Sequence, residues 1–234
     1  SDTAAATITV LPSVNAIFST QPDTFGCYPY MVNFQNFSTG AVTYEWDFGD
    51  GDTSTLVDPT HTYSDTSLTT DSIYTVTLIA TSIFPICKDT VTQDILVHPK
   101  PIANFAVTPD TGCSPFAVVI TDLSTGYDSL FWDYGDGSPI DTTTAGLFTH
   151  VYTNSSDTTA SYTLCLMAKT QFGCTDMICQ SIIVHPDISA NFTMIPDSTG
   201  CHPYTVNTIN SSVGADFYFW DFGDGDTSLM ERSE

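Results

Sequence analysis

Acidic residues recur in a short motif that could either bind a cation or fold a turn. The motif places one aspartate after a tryptophan and a second between two glycines, and it occurs three times: Trp46-Asp47-Phe48-Gly49-Asp50-Gly51, Trp132-Asp133-Tyr134-Gly135-Asp136-Gly137 and Trp220-Asp221-Phe222-Gly223-Asp224-Gly225. In the first copy, Asp47, Asp50 and Asp52 bring three carboxylates within six residues, a density of oxygen donors that would suit Ca²⁺. The spacing and terminal glutamate of an EF-hand are missing, so calcium stays an option, and no other metal or cofactor is expected. We favour the alternative that the aspartates accept backbone N–H groups and hold a turn in which the glycines supply positive φ angles.

Two histidines follow the first two copies of the motif, in His61-Thr62-Tyr63 and His150-Val151-Tyr152. The sequence shows no second and third metal ligand beside either ring, so both rings are expected to pack and hydrogen-bond at the core. His98 and His185 each precede a proline, and we expect them to be exposed. The three tryptophans of the motif are predicted to anchor the core, because buried indoles usually carry packing.

Four of the seven cysteines occupy matching positions. Cys27 and Cys87 lie 60 residues apart, and Cys113 and Cys174 lie 61 residues apart. The equal spacing predicts two equivalent disulfides, Cys27–Cys87 and Cys113–Cys174. Disulfides point to an oxidising compartment, and the absence of a Cys-x₂-Cys pair argues against zinc.

The other three cysteines lie outside these two predicted pairs. Cys165 and Cys179 lie seven residues on either side of Phe172, which would place them opposite one another on a hairpin and predicts a third disulfide. Cys201 is left over, and its partner is expected beyond Glu234.

Composition excludes several classes of function. Four basic residues against 27 acidic ones give a net charge of −23, which disfavours nucleic acid and anionic membrane surfaces as partners. No apolar run approaches the roughly 18–20 residues of a membrane span. Motifs of serine hydrolases, zinc proteases and P-loop proteins are absent, and Asp110-Thr111-Gly112 recurs as a turn before a cysteine rather than as a protease dyad. We therefore expect no enzyme activity.

The elements that position these residues are themselves repeated. The motif tryptophans are 86 and then 88 residues apart, a period that indicates tandem domains. Alternation of apolar and polar residues, as in 74–81 and 30–35, predicts antiparallel sheets with one face in water. About seven short strands per repeat predict an all-β protein of tandem immunoglobulin-like β-sandwiches. Proline joints divide the chain into the last strand of a preceding repeat (1–10), two whole repeats (11–98 and 99–185) and a truncated first half of a third (186–234).

Each repeat resembles the PKD domain, named after the polycystic kidney disease protein. The resemblance rests on the Trp-Asp-Phe-Gly-Asp-Gly motif, the His-x-Tyr segments, and two further stretches, Phe34–Gly40 and Tyr74–Leu78, with their second-repeat counterparts Ile120–Gly126 and Tyr162–Leu166. It implies an immunoglobulin-like sandwich for each repeat.

The repeats and the resemblance favour a non-catalytic structural or adhesive module at the cell surface, part of a long stalk or fibre of a bacterial or archaeal protein. Expected partners are neighbouring repeats, other copies in a fibre, and a surface or glycan ligand. The alternative is an accessory substrate-binding region of a secreted protease or chitinase. A flat exposed row formed by Phe131, Tyr218 and Phe219 would favour that alternative.

Overall fold

The computed structural model describes residues 13–64, 70–83, 87–142, 146–195 and 199–231, the last without the side chain of Glu231. Within these ranges every regular element is a β-strand. The chain divides into two compact units. Unit 1 comprises Ser1–Ile102 with Gly126–Ser129 and Lys169–Asp176, and unit 2 comprises Ala103–Thr125, Leu130–Ala168 and Met177–Glu234.

Eight strands belong to the first sequence repeat: β1 (Phe18–Gln21), β2 (Phe25–Cys27), β3 (Tyr30–Asn36), β4 (Thr43–Asp47), β5 (Thr53–Ser54), β6 (Thr60–Tyr63), β7 (Ser72–Thr81) and β8 (Lys88–His98). They form a three-stranded sheet in the order β1-β3-β6 and a five-stranded sheet in the order β2-β8-β7-β4-β5. Most pairs are antiparallel, as the alternation predicts. The pairing of β2 with β8 is parallel, with Cys27 opposite His98.

The core of the first repeat lies where these two sheets face each other. Buried apolar side chains from both sheets form one cluster: Tyr30, Val32, Phe34, Trp46, Phe48, Tyr63, Val76, Leu78, Ile95 and Val97. The alternation along β3 and β7 produces this arrangement, because every second side chain points to the same face. Met31 and Ile73, on the other faces of their strands, are exposed.

The second repeat contains seven strands: β9 (Phe105–Thr108), β10 (Thr111–Cys113), β11 (Phe116–Asp122), β12 (Ser129–Asp133), β13 (Leu147–Tyr152), β14 (Ala160–Lys169) and β15 (Thr175–His185). The sheet orders are β13-β11-β9 and β10-β15-β14-β12. β10 pairs with β15 in parallel, with Cys113 opposite His185, so the unusual pairing of the first repeat recurs. Inward side chains such as Ile120, Leu164 and Ile182 are fully buried.

The remaining strands form two antiparallel pairs in unit 2. β16 (Phe192–Ile195) pairs with β17 (Asn207–Asn210), and β18 (Phe217–Asp221) pairs with β19 (Thr227–Glu231). Among the residues described after Pro186, no side chain is classed as buried.

The predicted all-β, immunoglobulin-like sandwich is confirmed, with eight and seven strands in the two whole repeats. β8 ends at His98 and β15 at His185, the two joints suggested by the prolines, whereas the compact units assign two segments of the second repeat to unit 1. The division into four segments therefore stays a prediction, and residues 1–10 lie outside the described residues. None of the described elements is a helix that could cross a membrane.

Candidate functional site

The first aspartate of each motif closes a turn. Its Oδ1 accepts the N–H of the glycine two residues on, at 2.9 Å in all three copies: Gly49 to Asp47, Gly135 to Asp133 and Gly223 to Asp221. The second aspartate does the same for the residue two positions later: Asp52 to Asp50, Ser138 to Asp136 and Asp226 to Asp224. The motif is thus two consecutive Asx turns, as the sequence predicts.

The second aspartate also holds the histidine of the same repeat. His61 Nε2 lies 2.6 Å from Asp50 Oδ2, and His150 Nε2 lies 2.7 Å from Asp136 Oδ2. An ionised carboxylate can only accept, so each ring donates from Nε2. The pair connects the turn to strand β6 or β13 and fixes the orientation of the ring.

Aromatic contacts complete the packing of each histidine. His61 stacks on Phe48 with ring centroids 4.2 Å apart, and His150 stacks on Tyr134 at 3.7 Å. The tyrosine two residues after each histidine is fully buried, and its hydroxyl donates to the backbone carbonyl of that stacking partner: Tyr63 to Phe48 at 3.2 Å and Tyr152 to Tyr134 at 3.1 Å. The expectation that both histidines are packed and hydrogen-bonded is confirmed.

Electrostatics favours the ionised form of Asp136. Burial acts to raise the pKa of this carboxyl, but hydrogen bonds from Ser138 and His150 outweigh it and hold the pKa below the usual value. Burial also raises the pKa of Tyr63, Tyr134 and Tyr152, so these phenols remain neutral donors.

The carboxylates that come together differ from the predicted calcium set of Asp47, Asp50 and Asp52. Among the described residues, the group with metal-ligand spacing is Asp50, Asp52 and His61, whose ligand atoms lie within 4.8 Å of one another. Asp47 is not in this group, and its Oδ1 accepts the N–H of Gly49. The sequence did not reveal that His61 joins two carboxylates. In the second repeat Ser138 replaces Asp52 while the histidine–aspartate pair is kept, so the pair, rather than a metal site, is the shared feature.

The motif tryptophans behave differently in the third copy. Trp46 and Trp132 are 1% and 0% exposed, and Trp46 Nε1 donates to Leu56 O at 2.9 Å. Trp220 is only half-buried, and its Nε1 has no hydrogen-bond partner among the described residues. One phenylalanine nevertheless meets the indole edge-to-face in every copy: Phe18 with Trp46, Phe105 with Trp132 and Phe192 with Trp220, at centroid distances of 5.1, 5.4 and 5.3 Å.

The disulfides correct two predicted pairings and confirm one. Cys165 is bonded to Cys179, as the hairpin spacing predicts. Cys27 is bonded to Cys174, with their Cα atoms 5.5 Å apart. The predicted pairs Cys27–Cys87 and Cys113–Cys174 are wrong, and Cys87, Cys113 and Cys201 are free thiols.

Strand register explains the error. Cys27 lies opposite His98, at the end of β8, whereas Cys87 immediately precedes the first residue of the same strand. An eleven-residue strand is about 35 Å long at roughly 3.3 Å per residue, far beyond the Cα separation that a disulfide spans. Cys113 and Cys174 are kept apart by β15 in the same way.

A set of interactions that the sequence did not reveal surrounds the Cys27–Cys174 bond. The His98 ring is 5% exposed, not exposed as expected. Its Nδ1 lies 2.9 Å from Asp71 Oδ1, and Phe172 stacks on it at a centroid distance of 3.8 Å. Lys100 Nζ forms an ion pair with Asp176 Oδ1 at 2.9 Å. All these residues belong to unit 1. Phe172, the aromatic residue midway between Cys165 and Cys179, was the feature of the sequence that could have indicated these interactions.

The exposed aromatics form only part of the expected row. Phe219 is 70% exposed, but Tyr218 and Phe131 are half-buried. On the same face of the β18–β19 pair as Phe219 lie Phe217 and Leu229, which are 65% and 71% exposed.

A family model for the PKD domain matches residues 10–97. The described part of this matched range holds the Asx turns, the His61–Asp50 pair and the buried Trp46, and the second repeat has the same motif and matching sheets. No curated protein matches the chain.

Several solved structures are similar to the chain at low identity. A Ca²⁺-stabilised adhesin with which an Antarctic bacterium binds ice has a TM-score of 0.36 and 12% identity, covering 94% of this chain and 72% of that chain. Fibronectin(III)-like modules of CbhA from Clostridium thermocellum have a TM-score of 0.34 and 11% identity, covering 72% and 93%. Murine CEACAM1b has a TM-score of 0.35 and 12% identity, covering 74% and 100%.

Proposed function

We propose that the chain is a non-catalytic extracellular module that carries mechanical load in a long surface stalk or fibre of PKD-type repeats. The observation that carries this proposal is the Cys27–Cys174 disulfide, which joins residues of two sequence repeats 147 positions apart. When the chain is pulled at its ends, this bond carries the tension directly from Cys27 to Cys174, so most residues of both repeats bear no load. Disulfides persist in oxidising, extracellular surroundings, and the net charge of −23 keeps such surfaces mutually repelling.

The bond limits how far the chain can extend. A fully stretched chain spans at most about 3.3–3.6 Å per residue, so the 147-residue separation corresponds to about 500 Å of length that cannot be released while the bond is intact. A module that loses its fold under load would then lengthen only by its outer segments. The smaller Cys165–Cys179 loop, with a separation of 14 residues, would withhold about 50 Å by the same estimate, but only after the Cys27–Cys174 bond has been opened, because Cys165 lies inside the segment that this bond bypasses.

Single-molecule stretching of the full chain, held at its two ends, tests this role. We expect the fully unfolded contour length to increase by about 500 Å when the chain is reduced. In a Cys27→Ser, Cys174→Ser variant without reductant the increase should be about 450 Å, because the Cys165–Cys179 loop stays closed. The matched control, Cys165→Ser with Cys179→Ser, should not lengthen, because Cys165 lies inside the segment that the intact Cys27–Cys174 bond already bypasses. Equal contour lengths for all forms would remove the mechanical argument.

Location is tested separately on the cells that make the protein. Antibodies raised against the chain should label intact cells as strongly as permeabilised ones if the module is extracellular. Labelling that needs permeabilisation would refute the proposed location.

The rival role, substrate binding beside a hydrolase, predicts retention on insoluble chitin, cellulose or collagen. We expect no retention, because of the three aromatics that would form the row only Phe219 is strongly exposed. Retention that is lost in Phe219→Ala but kept in Met31→Ala, a control at another exposed apolar side chain, would favour the rival.

A further inference from the structure

A second site in the chain reproduces the surroundings of Cys27 but lacks the bonded turn. Cys113 lies opposite His185 on parallel strands, in the register of Cys27 and His98. The residue after each cysteine donates its N–H to the carbonyl of the histidine: Tyr28 to His98 at 3.1 Å and Ser114 to His185 at 3.0 Å. The backbone therefore holds the two cysteines in equivalent positions.

At the first of these positions, the turn Lys169–Asp176 supplies the bonded cysteine. Cys174 forms the disulfide and Phe172 covers the His98 ring. Asp128 braces the turn from a neighbouring segment, since its N–H donates to Lys169 O at 2.9 Å and its Oδ2 accepts the N–H of Gln171 at 2.7 Å.

At the second position the corresponding groups surround an open space. A cavity of about 590 Å³ in unit 2 is lined by Cys113, His185 and Asp216. Asp216 stands four residues before Trp220, as Asp128 stands four residues before Trp132. The His185 ring is held by Thr159, whose Oγ1 lies 3.0 Å from Nδ1, and it is half-buried where His98 is buried. Cys113 is an exposed free thiol.

We propose that Cys113, His185 and Asp216 form a seat for the cysteine-bearing turn of another copy of the repeat, and that a disulfide closes there at Cys113. The incoming turn is the counterpart of Lys169–Asp176, with its cysteine bonded to Cys113 Sγ and an aromatic ring over His185. Cys87, which holds the position of Cys174 in the first repeat, is the complementary half of the same linkage. This inference deepens the proposed load-bearing role, on which it rests, and extends it from one linkage to a series.

The bond forms by thiol–disulfide exchange. The thiolate of Cys113 attacks a disulfide donor of the oxidised glutathione type and releases one thiol, and the incoming thiolate then displaces the second. The two protein thiols lose two protons and two electrons, and the donor is reduced to two thiols.

The charges at this site limit which residues the incoming turn can carry. Lys100 pairs with Asp176 at the first position, but the residue in the place of Lys100 is Asp187 in the second repeat. An aspartate at the position of Asp176 would therefore face a like charge, so a neutral or basic residue is expected there.

The full chain and a synthetic peptide provide the test. The peptide has the sequence of residues 169–176, Lys-Thr-Gln-Phe-Gly-Cys-Thr-Asp, and is incubated with the oxidised chain in a mixture of reduced and oxidised glutathione. Mass spectrometry of the digest then measures the mixed disulfide at Cys113 relative to Cys201, which also follows a glycine but does not line the cavity. Non-covalent docking raises the local thiol concentration, so we expect at least about tenfold preference for Cys113.

Matched variants separate docking from simple reactivity. The preference should fall when the peptide carries Phe172→Ala or the chain carries His185→Ala, and it should rise when the peptide carries Asp176→Lys. Alkylation of Cys113 by iodoacetamide should stay the same in the His185→Ala chain, which shows that the thiol itself is unaltered. Equal capture at Cys113 and Cys201, or a preference unchanged by these substitutions, would overturn the seat. Neither result would alter the stretching or labelling tests of the proposed function.

Discussion

Replacing Gly135 by alanine should destabilise the second repeat much more than replacing Gly137 in the same turn. Both glycines have positive φ, +71° and +86°, a region that costs an ordinary L-residue about 1–2 kcal/mol. A Cβ on Gly135 would also overlap the carbonyl oxygen of Thr163 and lie 2.8 Å from its nitrogen, whereas a Cβ on Gly137 meets no atom within 4 Å. Overpacking against a fixed backbone adds about 1–3 kcal/mol. We therefore expect a loss of about 2–5 kcal/mol for Gly135→Ala and about 1–2 kcal/mol for Gly137→Ala.

Hydrogen exchange read by mass spectrometry measures this difference within one repeat. Thr163 lies in β14, so peptides covering β14 report the free energy of opening locally. A difference of about 1–3 kcal/mol corresponds to opening constants that differ about 5- to 150-fold. The first repeat offers a replicate, because a Cβ on Gly49 would lie 2.8 Å from Thr75 O while one on Gly51 meets nothing within 4 Å. If both members of each pair lose equal stability, the close approach of turn and strand has no energetic role, and the reasoning is refuted.

Three further predictions follow from the same structural features. Asp136→Asn should destabilise the protein at neutral pH. Because the folded-state pKa of Asp136 is lowered, the contribution of its carboxylate to the free energy of unfolding is complete above about pH 4 and is lost as pH falls through the folded-state pKa. The denaturant midpoints of the two forms should therefore converge between about pH 7 and about pH 2.5. Trp46→Phe removes the indole bond to Leu56 O and part of the packed ring, for which we expect a loss of about 1–3 kcal/mol in calorimetry. Cys165→Ser with Cys179→Ser opens a loop of about 15 residues, worth up to about 3 kcal/mol, and an unchanged unfolding midpoint would show that this bond is not stabilising.

Features set by near neighbours in sequence could be predicted. The Asx turns need only an aspartate and an N–H two residues later, so the motif alone assigns Asp47 and Asp133 correctly. The burial of Trp46 and Trp132 follows from strand alternation. Trp220 has the same motif but is half-buried. The burial of Trp46 depends in addition on a cluster with side chains of later strands, including Leu78 and Ile95. Alternation assigns the face of a side chain and leaves open what covers it.

Features set by strand register could not be predicted. Equal spacing suggests that Cys27 and Cys87 pair, but spacing carries no information about which end of a strand each residue occupies. The parallel pairing of β2 with β8 settles that question, since it places Cys27 beside the last residue of β8. The alternation favours antiparallel hairpins and does not indicate a parallel pair of strands such as β2 and β8. The same limit explains the missed stack of Phe172 on His98.

The repeat also acts as an internal comparison that separates shared architecture from individual features. The Asx turns, the histidine–aspartate pair and the parallel strand beside the cysteine recur in both whole repeats. Of the two whole repeats, only the first has the Asp52 carboxylate and only the second has the Cys165–Cys179 bond. The two cysteine positions that both whole repeats share lie at opposite ends of an eleven-residue strand. A disulfide between them therefore cannot form within one repeat. Each cysteine must therefore find its partner in a different repeat or remain free, and Cys27 with Cys174 is the case in which the partner is found.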